Sequence, residues 1–224
     1  MALDYSHEKI KDPLLKKDIL LIHGALSTKS YWLKNTELIK ELKGLKPNSI
    51  TAVSLLGRGS SPLRENCSVS THISDVVNII NKLDLNNIII ISHSFGTPLS
   101  IGLALEVEDK ISSFIGGDYL PLIPPFSTGW LEWVSANISD FDIDNGLPSC
   151  LVRDIQFTDY RNDLKKIKFP GLLLRGTGDG GMLSHEDDIQ LWDNYANLEI
   201  FNSKAGHDVY SDEATVEKLI SFLK

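Results

Sequence analysis

Apolar residues along this chain fall into short continuous runs, separated by longer stretches in which apolar positions recur every three or four residues. The runs are Ile19–Ile22, Ile50–Val53, Ile88–Ile91, Ile111–Gly117, Gly171–Arg175 and Leu198–Phe201. A run without polar alternation predicts a strand covered on both faces, the setting of a parallel sheet. Between the runs, Tyr31, Trp32, Leu38, Ile39 and Leu42 mark a helix ending near Gly44, and Ile73, Val76, Val77, Ile80 and Leu83 mark a second. Leu99, Ile101, Leu103, Ala104 and Leu105 follow Pro98 in a third, whose first turn tolerates proline. Two more are expected from Glu186 to Tyr195 and from Asp212 to Leu223. Alternating strands and helices predict an α/β fold, a mostly parallel sheet with helices on both faces.

The alternation breaks between Asp118 and about Lys168, where Pro121, Pro124, Pro125 and Pro148 mix with Tyr119, Phe126, Trp130, Trp133, Phe141, Phe157 and Tyr160. This stretch is too short for a core of its own and reads as a lid inserted into one domain spanning 1–224. Trp130, Trp133, Val134 and Ile138 fall at helical spacing and predict one amphipathic helix within it. Most of the lid aromatics are expected to pack that helix onto the core, and some to line a pocket.

Composition narrows the class. The chain has 224 residues, 42% of them hydrophobic and 23% charged, ordinary for a globular enzyme-sized domain. A formal charge of -8 disfavours a nucleic-acid partner, because phosphate affinity comes from clustered Lys and Arg. The two cysteines, Cys67 and Cys150, make no disulfide framework and fit a reducing compartment, although they are free to pair. Met1 to Lys17 is polar and lacks the apolar centre of a signal peptide, and no segment approaches a membrane span, so a cytoplasmic location is the expectation.

The stretch Ile88 to Leu99 carries the chemistry: a buried strand, a sharp turn Ser92-His93-Ser94-Phe95-Gly96, and a helix start. A serine at such a turn projects from the carboxyl edge of the sheet, with the amides of the next helix aimed at it. Serine needs a base, and the base needs a partner that fixes its tautomer. His207 lies after one strand and Asp179 after another, so Ser94, Asp179 and His207 are expected to meet on one sheet edge.

The turn resembles the Gly-x-Ser-x-Gly nucleophile elbow of the α/β-hydrolase superfamily, with Ser92 in place of the first glycine. Ile19 to Gly24 resembles the strand and His-Gly loop of that family. Gly57-Arg58-Gly59-Ser60-Ser61 is similar to its Gly-x-Gly-x-Ser loop, with Ser54 where an aspartate is often found, and Gly206-His207 resembles its histidine loop. The resemblance implies an α/β-hydrolase fold and a serine hydrolase acting through an acyl-enzyme on Ser94. Its substrate would be a small or medium carboxylic ester, or a thioester or lactone. It further implies His207 as base, Asp179 in the Gly176-x-x-Asp179 loop as acid with Asp118 as the competitor, the amides of Ala25 and Phe95 as oxyanion hole, His23 as a loop-holding residue, and no cofactor.

Other readings are weaker. His185, Glu186, Asp187 and Asp188 lack zinc spacing and read as the solvated first turn of a helix. The glycines from Gly176 to Gly181 lack a nucleotide-binding pattern. Arg153, Arg161, Lys165, Lys166 and Lys168 raise an acyl carrier as partner, against a solvated face shared with Asp154, Asp159 and Asp163. A ligand-binding receptor is the alternative function, since the fold supports both.

Overall fold

The computed structural model describes residues 2–224. Among the described residues nine strands form: β1 Tyr5–Lys9, β2 Asp18–Ile22, β3 Ser49–Val53, β4 Ile88–His93, β5 Ile111–Gly117, β6 Leu122–Ile123, β7 Thr158–Asp159, β8 Gly171–Gly176 and β9 Leu198–Ser203. The helices are α1 Ser30–Lys34, α2 Thr36–Gly44, α3 Val69–Lys82, α4 Gly96–Glu106, α5 Thr128–Ala136, α6 Leu147–Asp154, α7 Glu186–Gln190 and α8 Glu213–Leu223. Seven strands make one sheet in the order β1-β3-β2-β4-β5-β8-β9. Six of them run parallel, and β1 pairs antiparallel with β3 at the edge.

The apolar runs build two cores, one on each face. Ile88 and Ile90 of β4 join Leu20, Ile22, Phe114 and Leu173 beneath α3 and α4. Ile89 and Ile91 point the other way, with Ile19, Leu21, Ile115 and Leu172, onto Trp32, Leu38 and Leu42 and onto Val216 and Leu219 of α8. This is the period-two consequence of a strand with no polar face. Helix α4, apolar almost all round, is buried from Gly96 to Ala104.

Several expectations shift. The helix expected from Tyr31 to Gly44 is two, because the Asn35 side chain accepts from the Leu38 amide and starts α2 afresh. The helix expected from Glu186 to Tyr195 is regular only to Gln190. Strand β1 had no apolar run to announce it: its residues are half-buried or exposed along a sheet edge.

The stretch expected to form a lid is an excursion whose two ends pair, Leu122 with Asp159 and Ile123 with Thr158. It holds the expected helix α5 and a second, α6. It is fastened to the core at three places. Arg58 bridges Ile143, with Gly59 donating to the Asp142 carbonyl and Asp144 donating to the Gly57 carbonyl. Tyr160 packs so closely on Gly102 of α4 that a Cβ there would sit 2.4 Å from its hydroxyl. Finally, Cys67 and Cys150 form a disulfide joining the segment before α3 to α6. That pairing departs from the reading of two free thiols in a reducing compartment, since disulfides persist chiefly in oxidising surroundings. No helix among the described residues is long and apolar enough to cross a membrane.

Candidate active site

The carboxyl ends of β2, β3, β4, β5, β8 and β9 lie on one edge, and every predicted site residue follows one of them. Ser94 leaves β4 with φ +53°, the left-handed region costly for a residue with a Cβ. Its amide donates to the Gly117 carbonyl at 2.8 Å, which clamps the turn to β5. Gly96 is required by close approach: a Cβ there would meet the His23 carbonyl oxygen at 2.5 Å and that of Ile22 at 2.8 Å. Ser92, the departure from the motif, is fully buried, and its hydroxyl donates to the Ile115 carbonyl at 3.1 Å. The extra oxygen therefore arrives with an acceptor.

The His-Gly loop lies directly against Ser94, since a Cβ on Gly24 would sit 3.0 Å from Ser94 Cβ and 3.4 Å from its Oγ. His23 ties this loop to the next: Nδ1 donates to the Gly24 carbonyl at 2.7 Å and Nε2 accepts from the Leu55 amide at 3.0 Å. Burial, aided by the Arg58 charge, holds His23 down at about 3, so it is neutral. The missing aspartate at position 54 has a substitute from outside the motif. Ser54 Oγ donates to the Asp4 carboxylate at 3.3 Å, and Lys29 pairs with the same carboxylate.

His207 Nδ1 donates to Asp118 Oδ2 at 2.9 Å, which leaves Nε2 as the nitrogen able to take a proton. Asp118 follows β5 at φ +40° and is completely buried. Its oxygens also accept from the amides of Gly176 at 2.9 Å, Met182 at 2.8 Å and Leu183 at 3.3 Å. Burial pushes the carboxyl up, but the bonds from His207 and from these amides outweigh it and hold the group below the ordinary carboxylate value.

The expectation that Asp179 pairs with His207 is therefore corrected: Asp118 does, and Asp179 is exposed. The physical reason lies in what the β8 loop is for. Gly178 donates to the Ala205 carbonyl at 2.9 Å, and a Cβ on Gly178 would lie 2.6 Å from the Lys204 carbonyl oxygen. Its glycines let two backbones touch, and the amides that follow solvate Asp118.

His93, expected to pack or line the elbow, does more. Its Nε2 donates to the His207 carbonyl at 2.8 Å and its ring stacks on Tyr31 at 4.8 Å. Tyr31 in turn donates to Asp208 at 2.5 Å. Burial, with the His207 ring beside it, holds His93 at about 4. The elbow thus holds the backbone of the histidine loop as well as presenting the serine. No signal short of the three-dimensional arrangement marks this.

Ser94, His207, Ala25 and Phe95 line one open cavity of about 330 Å³, whose remaining wall is Ser127 and the mostly apolar Tyr119, Pro124, Pro125, Phe126, Trp130 and Met182. A larger hollow of about 630 Å³, lined by Tyr31, Asp208 and Glu213 among others, contains none of the predicted site residues. The basic residues near the lid's end are engaged locally, Arg153 with Asp154, Arg161 with Asp159 and Lys166 with Asp163.

A serine on a sharp turn after a strand, a histidine held by an acid and a mostly parallel sheet fit the α/β-hydrolase fold. The profile of the Alpha/beta hydrolase family matches residues 19–216, and the chain belongs to that family. Among relatives, it is 20% identical over 173 residues to the sn-1-specific diacylglycerol lipase ABHD11 of Xenopus tropicalis, covering 77% of this chain and 53% of that one. The Xenopus laevis protein of the same name is 22% identical over 135 residues, 60% of this chain and 42% of the other. The chain thus spans about half the length of these relatives. Among solved structures, a hydrolase from Oleispira antarctica superposes with a TM-score of 0.77 at 21% identity, covering 99% of this chain and 94% of the other. An esterase from Exiguobacterium antarcticum gives 0.73 at 17% identity, with 98% and 94% covered. The monoacylglycerol lipase of Paleococcus ferrophilus gives 0.71 at 18%, with 100% and 98% covered.

Proposed function

We propose that the protein is a serine hydrolase cleaving small or medium carboxylic esters through an acyl-enzyme on Ser94. The observation that carries the reading is the Asp118–His207 hydrogen bond, placed beside the cavity that Ser94 also lines. Ser94 Oγ attacks the acyl carbon while its proton passes to His207 Nε2, and Asp118 stabilises the resulting imidazolium. The amides of Phe95 and Ala25 hold the oxyanion. Collapse expels the alcohol, which takes the proton from His207. Water, deprotonated by His207, then releases the acid and restores the serine. The apolar wall and the cavity of about 330 Å³ fit an acyl chain of modest length.

Turnover of a panel of p-nitrophenyl esters of increasing acyl length tests the reading. The wild type is expected to turn over short and medium esters and to be labelled by a fluorophosphonate. Ser94→Ala is expected to lose both, with a loss in kcat on the order of 10⁴ or more while the fold is kept. Undiminished turnover in that variant removes the assignment.

A further inference from the structure

Behind the walls formed by Ala25 and Phe95 lies a charge that the chemistry above does not use. Arg58, from the Gly-x-Gly-x-Ser loop, is fully buried and does not line the cavity. Its Nε donates to the Ala25 carbonyl at 2.8 Å, and its guanidinium carbon lies 5.8 Å from the centre of the Phe95 ring. One side chain thus touches both residues whose amides serve the oxyanion.

Its other partners are neutral. Nη1 donates to the Leu56 carbonyl at 2.8 Å and to His72 Nε2 at 3.0 Å, while Nη2 has no hydrogen-bond partner among the described residues. His72 Nδ1 donates to the Ser68 carbonyl at 2.9 Å, so its Nε2 is an acceptor and the ring carries no charge. Burial and the adjacent Arg58 hold that ring at about 3, and burial alone brings Arg58 to about 9, still a cation at neutral pH. Among the described residues, no carboxylate forms an ion pair with it. A buried cation without a counter-charge is unfavourable, because its lost hydration is not made good by an opposite charge. Negative charge developing on an oxygen at the Ala25 and Phe95 amides would supply the missing partner, in a medium where charges act over longer distances than in water.

We propose that Arg58 is a positioning residue of the oxyanion hole, fixing the Ala25 and Phe95 loops and favouring the charged tetrahedral intermediate over the neutral ester through its unpaired charge. This rests on the hydrolase reading.

The test uses Arg58→Met, which keeps much of the volume, and Arg58→Lys, which keeps the charge but loses the planar fork. Each is assayed for kcat and KM on a short p-nitrophenyl ester. Each is also titrated with two inhibitors of one chain length: a trifluoromethyl ketone, which adds Ser94 to form an oxyanion, and the methyl ketone, which stays neutral. Arg58→Met is expected to lose about 10-fold or more in kcat with KM within about twofold. Its affinity for the fluorinated ketone should fall in parallel, and that for the methyl ketone should hold. Arg58→Lys is expected to lie between it and the wild type, and it carries the test alone if Arg58→Met fails to fold. Unchanged kcat, or equal loss of affinity for both ketones, overturns the proposal. Failure of the hydrolase reading shows itself separately, as wild-type turnover equal to that of Ser94→Ala.

Discussion

Two aspartates follow neighbouring parallel strands, Asp118 after β5 and Asp179 in the loop after β8, and their fates are opposite. Asp118 is fully buried, in a left-handed backbone conformation, with a histidine and three amides on its carboxylate. Asp179 is exposed in a glycine-rich turn. The difference teaches that an acid is made useful by its donors rather than by its place after a strand. Burial alone would raise the pKa of Asp118, and only the surrounding N–H groups keep it ionised beside His207.

The largest effect expected from breaking this contrast is that of Asp118→Asn. Losing the carboxylate leaves His207 Nδ1 without its acceptor and admits the wrong tautomer, so kcat should fall by about 10³-fold or more. The same variant reports on stability. A carboxyl held low in the folded state stabilises it fully above the ordinary carboxylate range, and that contribution is lost as pH falls through the folded value. The gap in urea midpoint between wild type and Asp118→Asn should therefore be widest at neutral pH and narrow in acid. A gap independent of pH would contradict the ionised, hydrogen-bonded carboxylate.

A smaller effect is expected where the β8 loop contributes through its backbone. Gly178→Ala drives a Cβ to 2.6 Å from the Lys204 carbonyl oxygen, so the loops must part, at a cost of about 1–3 kcal/mol by chemical denaturation. Partial loss of activity should accompany it, because the amides on Asp118 move with the loop. The smallest effect belongs to Asp179→Asn, expected to leave kcat within about twofold and stability within about 0.5 kcal/mol, as for other exposed positions. A loss comparable to that of Asp118→Asn would reverse the assignment of the acid.

Much of the sheet was legible because its strands are covered on both faces, and such strands must be written in continuous apolar residues. Four isoleucines from Ile88 to Ile91 divide evenly between the two cores. Strand β1 was illegible for the converse reason: an edge strand can be polar, and its place is set by pairing with β3. The placement of Ser94 and His207 beside one cavity was legible because the elbow and the Gly206-His207 loop have local sequence marks. Which aspartate meets His207 was not, since the glycines around Asp179 satisfy a steric need that looks the same in sequence as an acid loop. Arg58 lay in a recognised motif, yet its contacts with Ala25 and Phe95 join residues distant in sequence. The substitution of Asp4 for an acid at position 54 was equally hidden, because the replacement comes from fifty residues away.

The threefold fastening of the inserted stretch 118–168 has a consequence for how the cavity chooses what it admits. A flap hinged at both ends selects by opening, and its selectivity is set by the energy of that motion. Here the middle of the insertion bridges the Arg58 loop, Tyr160 is wedged against α4, and a covalent link fixes α6. The insertion is a wall more than a door. Under the proposed function, discrimination among acyl groups then falls to lining side chains such as Phe126 and Trp130, whose rings pack 4.3 Å apart. On that reading, altering acyl preference is a matter of recutting two aromatic side chains, with the backbone around them left as it stands.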